Sequence, residues 1–162
     1  MAVVDYFLKI DGIDGESQDK THKGEIHLES WSFGETNAGT SASGGGGGAG
    51  KVSMGDFHFV MRANKSTPKL FLACANGEHI KKAVLTCRKA GKDQQEYLKW
   101  TFSDLLVSSY QTGGSASSDV VPLDQISINF TEAQVDYKEQ KADGTLGGAV
   151  TTKYNVKSQS SA

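Results

Sequence analysis

Apolar and polar residues alternate one by one through most of this chain, and that alternation restricts it to β-strands. Side chains on a strand point to opposite faces at a period of two, so a stretch of this pattern buries its apolar half only as part of a sheet. Val4, Tyr6, Leu8 and Ile10 share one face of a first strand, with Asp5 and Lys9 on the other, and Gly12 and Gly15 end it. A polar stretch from Glu16 to Gly24 follows. The second strand spans 25–33, with Ile26, Leu28, Ser30 and Ser32 on one side and His27, Glu29, Trp31 and Phe33 on the other. Strand character resumes over 51–61, where Phe57, Phe59 and Met61 alternate with His58 and Val60, and returns over 83–89.

A turn at 90–93 leads into a long strand over 95–109, in which Leu98, Trp100 and Phe102 alternate with Lys99, Thr101 and Ser103. The alternation breaks at Leu105, Leu106 and Val107, which predicts a bulge. After a Gly/Ser turn over 112–118, Ile126, Ile128 and Phe130 share a face. Ala133, Val135 and Tyr137 continue with shifted parity, predicting a second bulge near Thr131 and Glu132. A Gly-rich turn over 143–148 precedes a last strand carrying Val150, Tyr154 and Val156, and 158–162 is expected to fray. One segment reads as a helix, 67–77. Thr67 is placed to cap it, Pro68 suits the first helical position, Gly77 suits a left-handed close, and Leu70 and Cys74 lie four apart on one side. The fold class that follows is mainly antiparallel β with one short helix. Long strands that bend favour a closed barrel or a tight sandwich.

The chain has 162 residues, which suits one domain over 1–162, with a core large enough to need neither disulfide nor metal. Its net charge of -2 lacks the basic excess of a general nucleic-acid or membrane binder. Two cysteines, Cys74 and Cys87, are too few for a disulfide framework and read as reduced, buried thiols, with a single bridge as the alternative. The N-terminus has no basic-then-apolar secretory signal, and no apolar run approaches the ~20 residues of a membrane span, so the chain is expected to be made in the cytoplasm. Eight of the 19 glycines fall between positions 34 and 50, making a Gly-rich loop inside an otherwise ordinary composition.

That loop carries the one tempting motif. Gly45 to Val52 nearly matches the phosphate-binding G-x-x-x-x-G-K-[ST] loop. Val52 stands where Ser or Thr must hold the magnesium ion, and the following segment reads as strand rather than helix. A match of Gly45, Gly47 and Gly50 to G-x-G-x-x-G is almost automatic in five consecutive glycines. A docking or flexible loop is the preferred reading. His22, His27, His58 and His79 are scattered without metal-ligand spacing, although Asp19 lies near the first two. No G-x-S-x-G elbow occurs. Asn64 to Ser66 and Asn129 to Thr131 fit the glycosylation sequon, which has no meaning without a secretory route. Trp31, Phe33 and Trp100 suit a core or subunit interface better than a sugar platform. No catalytic, metal or cofactor site emerges, and the chain is expected not to be an enzyme.

A series of short stretches then points to a family. They are Gly15 to Ser17, Asp19 to His22, Trp31 to Gly34, Gly44 to Val52, Lys65 to Leu70 with Ala73 and Cys74, and Arg88 to Gly91. Glu96 to Leu98, Leu106 to Ser109, Thr112 to Ser115, Val135 to Tyr137 and Gln140 to Gly144 continue the series in order along the chain. Together they resemble the haemolysin-coregulated protein (Hcp) family, the tube subunits of type VI secretion. The resemblance implies a β-barrel of two sheets with a flanking helix, assembled as a hexameric ring. It implies rings stacked into a tube inside a contractile sheath, exported by contraction without a signal peptide, and able to carry effector proteins in the lumen. The implied partners are further copies of the chain, sheath and spike proteins, and effectors, with no nucleic acid and no membrane insertion. Two site expectations follow. The segment Gly44, Gly45, Gly46, Gly47, Gly48, Ala49, Gly50 and Lys51 is assigned to ring stacking. Ser30 and Ser32, small and polar on one strand face, are assigned to the lumen wall, against the alternative of small residues in a crowded core. A small β-barrel module binding a sugar or lipid is the rival for the whole chain; an enzyme with a site assembled in space is a second.

Overall fold

The computed structural model describes residues 4–38, 52–89, 93–117 and 121–161. Its elements in chain order are β1 (Val4–Ile10), β2 (Ile26–His27), β3 (Ser30–Ser32), β4 (Glu35–Asn37), β5 (Val52–Met54) and β6 (Phe57–Arg62). Then come α1 (Thr67–Asn76), β7 (Ile80–Lys89), β8 (Glu96–Gly113), β9 (Leu123–Gln140) and β10 (Leu146–Asn155). The main sheet runs β2-β1-β7-β8-β9-β6-β3, β10 pairs with β9, and β4 pairs with β5 apart from it. Every strand pair is antiparallel. The expected strand over 25–33 is broken in the middle. Leu28 N donates to Tyr6 O of β1 at 2.9 Å, whereas Glu29 N donates to Val60 O of β6 at 2.8 Å. That one run therefore joins both ends of the sheet and curls it toward a barrel.

β8 and β9 are 18 residues each, about three times the usual strand length. Both switch which parity faces the core at the same place. Phe102 pairs with Ala133 and Leu105 with Phe130, and all four are buried. Between them Asp104 takes φ 51, a left-handed conformation that aspartate tolerates better than most residues. Thr131 Oγ1 donates to Asp104 O at 3.0 Å and holds the two strands together through the change. The bulge expected near Thr131 and Glu132 is thus a shared bend. The pairing passes from Ser103–Glu132 to Leu105–Phe130 without a slip. A true register shift does follow the Leu105–Val107 break, between Val107 and Ser109.

The bend divides the sheet into two layers. Before it, β8 pairs with β7 as far as Leu105, and β9 pairs with β10 from Glu132 onward. Beyond it, the other halves of the same two strands belong to a layer ordered β3-β6-β9-β8. Phe57, Phe59, Met61, Leu85, Phe102, Leu105, Ile126 and Ile128 fill the space between. Phe102 is at its centre, with ring centroids 4.7 Å from both Phe57 and Phe130. Trp31, Phe33 and Trp100 pack on the edge of this cluster, half-buried.

α1 seals part of the core with Leu70 and Ala73, while Cys74 stays half-buried. Gly77 closes the helix at φ 66, as its sequence position suggests. The start differs from expectation. Ser66 is the N-cap, because its carbonyl accepts the first helical bond from Leu70 N. The Thr67 hydroxyl is engaged elsewhere, donating to Asp124 at 2.7 Å and accepting from Asn64 N. At the other end of the chain, Asn155 and Ser160 exchange backbone hydrogen bonds, at 2.9 and 3.3 Å.

Phe102→Ala removes the ring that both layers pack against. It should lower unfolding stability by about 3–5 kcal/mol, read as a fall in the urea midpoint at unchanged slope.

Candidate functional site

The β3-β6-β9-β8 layer has two unlike faces, and its register shows why. One row, Trp31–Phe59–Ile126–Tyr110, packs against the core. The rows on either side are Ser30–Val60–Gln125–Gln111 and Ser32–His58–Ser127–Ser109, and they face away from it. Period-two alternation on four strands in register thus collects small or neutral polar side chains into one continuous surface. Ser30, Ser32, His58, Ser109, Gln111 and Gln125 are exposed. Ser127 is covered, sharing a hydrogen bond with the Ser109 hydroxyl. A depression of about 490 Å³ runs over this surface. Charges near the face are ion-paired or hydrogen-bonded. Arg62 meets Glu29 at 2.8 Å, and the Asp56 carboxylate accepts from Ser108 and Asn129 at 2.7 and 2.9 Å. Ser30 and Ser32 both stand on the exposed side, so the crowded-core alternative for them does not hold.

A second polar construction lies between β1, β7 and the 15–25 loop. Gly15 is required there: a Cβ on it would sit 2.6 Å from Glu25 O and 2.7 Å from Ile26 Cα. The close approach lets Ser17 N donate to Glu25 O at 3.0 Å and Gly24 N to Ser17 O at 2.9 Å. Asp19 is thereby presented to Arg88 of β7 in a two-pronged ion pair, at 3.0 and 2.7 Å. Arg88 also donates to Asp5 at 3.2 Å and lies over the Phe7 ring. His22 stacks on the same ring, its nitrogens hydrogen-bonded to Glu25 at 2.8 Å and Glu96 at 2.6 Å. The guanidinium hydrogen bond, aided by the Thr21 and His22 amides, holds the Asp19 carboxyl far below the ordinary carboxylate range despite some desolvation. The same bond from Asp19 raises Arg88. Burial pushes the Cys87 thiol up to about 12, which makes it a packing residue rather than a nucleophile.

The four histidines do not converge. His22 is in this network, His27 is 3.6 Å from Asp5, His58 is on the polar face, and His79 is 3.7 Å from Asp104. Among the described residues no three His, Cys, Asp or Glu side chains gather as a metal site. An apolar groove of about 660 Å³ lies between the β4–β5 pair and the β8–β10 surface, lined by Phe33, Val52, Met54, Trp100, Val135 and Tyr154. The segment Gly44 to Gly48, Ala49, Gly50 and Lys51 lies outside the described residues; β4 and β5 flank it. The alternation singled out the two serines but not their neighbours from β6, β8 and β9, because strand order is not written in any one strand. The Asp19–Arg88 pair, 69 residues apart, was visible only as two separate pieces of the family resemblance.

Fold and surface define a β-barrel building block with one neutral polar wall. The family model described as "Type VI secretion system effector, Hcp" matches residues 7–137. Protein hcp1 of Pseudomonas aeruginosa is 47% identical over 156 residues, covering 95% of this chain and 96% of that one. The crystal structure of Hcp1 from Salmonella typhimurium superposes with a TM-score of 0.82 at 34% identity, covering 99% of this chain and 100% of that one. A structure titled as a type six secretion system protein reaches 0.91 at 27% identity, covering 98% and 99%. A chain of the anti-feeding prophage baseplate shares the fold at 0.51 and 11% identity, over 83% of this chain and 93% of that one. The chain belongs to the Hcp family of type VI secretion.

Asp19→Asn breaks the two-pronged ion pair and leaves buried Arg88 with Asp5 as its remaining carboxylate, at a cost of about 1.5–3 kcal/mol near neutral pH. Because folding depresses the Asp19 pKa, the unfolded chain binds its proton first as pH falls. The stability gap between wild type and variant should be full above the unfolded value of about 4 and shrink progressively below it. Urea unfolding across acid pH checks this, and a gap that persists unchanged into strong acid would contradict it.

Proposed function

We propose that this chain is a structural subunit of the type VI secretion tube. Six copies close a ring, with the β3-β6-β9-β8 polar face turned to the bore. The observation that carries the reading is that layer itself. It pairs a wide uncharged face with two edges, β3 and the end of β8 beyond Leu105, that have no further strand partner among the described residues. Open edges invite pairing with another chain, and a repeated side-by-side contact closes into a ring when its rotation allows. Ser30 and Ser32, with His58, Ser109, Gln111 and Gln125, then form a bore wall. Such a wall offers hydrogen bonds to varied cargo without strong apolar or ionic capture. Rings stack, sheath contraction exports the tube, and effector proteins travel inside it. The subunit is made in the cytoplasm and exported by the type VI machine, a reading supported by the match to the type VI secretion family. Its partners are its own copies, sheath and spike proteins, and cargo, and it works as a structural part rather than a catalyst.

The apolar groove beside β4 and β5 favours a second reading, a small ligand-binding module. Mass in solution separates the two. Native mass spectrometry should give six copies, and a protein that stays monomeric at high micromolar concentration contradicts the tube. Deleting Gly44 to Gly48 should leave the fold and the six-copy mass intact while weakening ring-on-ring assembly and export. Normal tubes and export in that variant would remove the stacking role from the loop.

A further inference from the structure

Histidine is the side chain whose charge changes between about pH 5 and pH 8, and its surroundings decide what that change does. Three of the four histidines have acidic partners. His22 bonds Glu25 and Glu96, His27 lies 3.6 Å from Asp5, and His79 lies 3.7 Å from Asp104. His58 has no acidic partner among the described residues. It stands exposed on β6, in the polar row Ser32–His58–Ser127–Ser109. The depression of about 490 Å³ over this face is lined by His58 together with Ser32, Ser109, Gln111 and Gln125. Among the described residues no Asp, Glu, Lys or Arg joins that lining. Its other titratable group is Tyr110, whose phenol burial pushes up, with Asp124 adding to the rise, so it stays neutral over the same range. Asp56 and Arg62 share the outward side of β6 with His58, and both are engaged. The Asp56 carboxylate accepts from Ser108 and Asn129, and Arg62 meets Glu29. The proton on His58 is therefore the one charge this depression gains near neutral pH.

We propose, on the basis of the ring reading above, that His58 selects cargo by charge. Protonated, it seats a carboxylate-bearing segment of the cargo protein in this depression; neutral, it lets that segment go. A carboxylate only accepts hydrogen bonds, and the depression supplies donors in the imidazolium N–H groups, the Ser32 hydroxyl and the Gln111 and Gln125 amides. A bond from imidazolium to carboxylate is charge-assisted and roughly twice as strong as a neutral one. One exposed pair is still weak, because water and salt screen it. Repetition around a bore changes that. The first contact holds the cargo beside the same site on the other copies, and small gains multiply. Lys or Arg at this position would hold acidic cargo at every working pH, whereas histidine makes the hold reversible. A basic segment gains nothing, since no carboxylate lines the depression and protonated His58 repels it.

The test titrates purified rings with a rhodamine-labelled oligoglutamate peptide, and with an oligolysine peptide of the same length, by fluorescence anisotropy at constant ionic strength. Native mass spectrometry at each pH reports whether the rings are intact. From about pH 8 to about pH 5.5 the glutamate carboxylates stay ionised, and wild-type affinity for oligoglutamate should rise at least about tenfold. His58→Ser should flatten that rise, and His58→Lys should bind oligoglutamate tightly at both ends of the range. Oligolysine should bind no more tightly in acid. If His58→Ser does not assemble, His58→Gln supplies the neutral comparison. Wild-type protein that never forms rings defeats the tube reading and the role of His58 together. Intact rings with no acid-dependent binding of oligoglutamate, or with a rise that survives in the neutral variant, overturn the role of His58 and leave the ring standing.

Discussion

The structure depends on one bend shared by two strands. β8 and β9 would otherwise be a flat ribbon of 18 residues each, with one parity facing the core throughout. At Asp104 and Thr131 both strands exchange inward and outward faces together, and pairing survives because neither gains a residue on the other. Asp104 at φ 51 carries the backbone cost, and the Thr131 hydroxyl bond to its carbonyl supports it. Before the bend the ribbon serves β7 and β10; beyond it the ribbon serves β6 and β3. The aromatic cluster around Phe102 fills the angle. The bend thus creates both the core and the separate four-strand layer whose other face is left over for function.

Electrostatics divides along the same line. Around β1 and β7 the charges are close and partly buried, with Arg88 held by Asp19 and Asp5 and stacked with Phe7. That network orders the long polar loop after β1, which has no regular structure of its own and would otherwise cost backbone entropy to fix. Beside the four-strand face Arg62 pairs with Glu29, and neutral donors, Ser108 and Asn129, hold the Asp56 carboxylate. For the proposed bore wall, a strong charge of either sign would hold opposite cargo and repel like cargo.

Much of the fold was legible because period two survives in most strands. Leu8 and Ile10, Phe57 and Phe59, and Ile126 and Ile128 fall on the core as their spacing says. The helix was legible from Pro68 and Gly77, whose backbone preferences are local. What was not legible depends on partners. Residues 130–133 look like a bulge in a single strand, and only the matching change at 102–105 of β8 shows a bend. Thr67 looks like a cap until Asp124 is seen to take its hydroxyl. Ser30 and Ser32 could be picked out by size and polarity. Their exposure follows from the break at Leu28 and Glu29, where the chain leaves β1 for β6 and shifts the inward parity from Ile26 and Leu28 to Trp31.

The proposed tube depends on the polar face of the four-strand layer looking into the ring. Spin labels on single cysteines measure this geometrically in purified rings. Labels around a closed ring are closer to one another the nearer they lie to its axis. A label at Ser32, on the proposed bore wall, is compared with one at Val150, which is 71% exposed on β10. Label-to-label distances should be shorter at Ser32 than at Val150, both between neighbours and across the ring. Equal or longer distances at Ser32 would place that face outside the bore and contradict it.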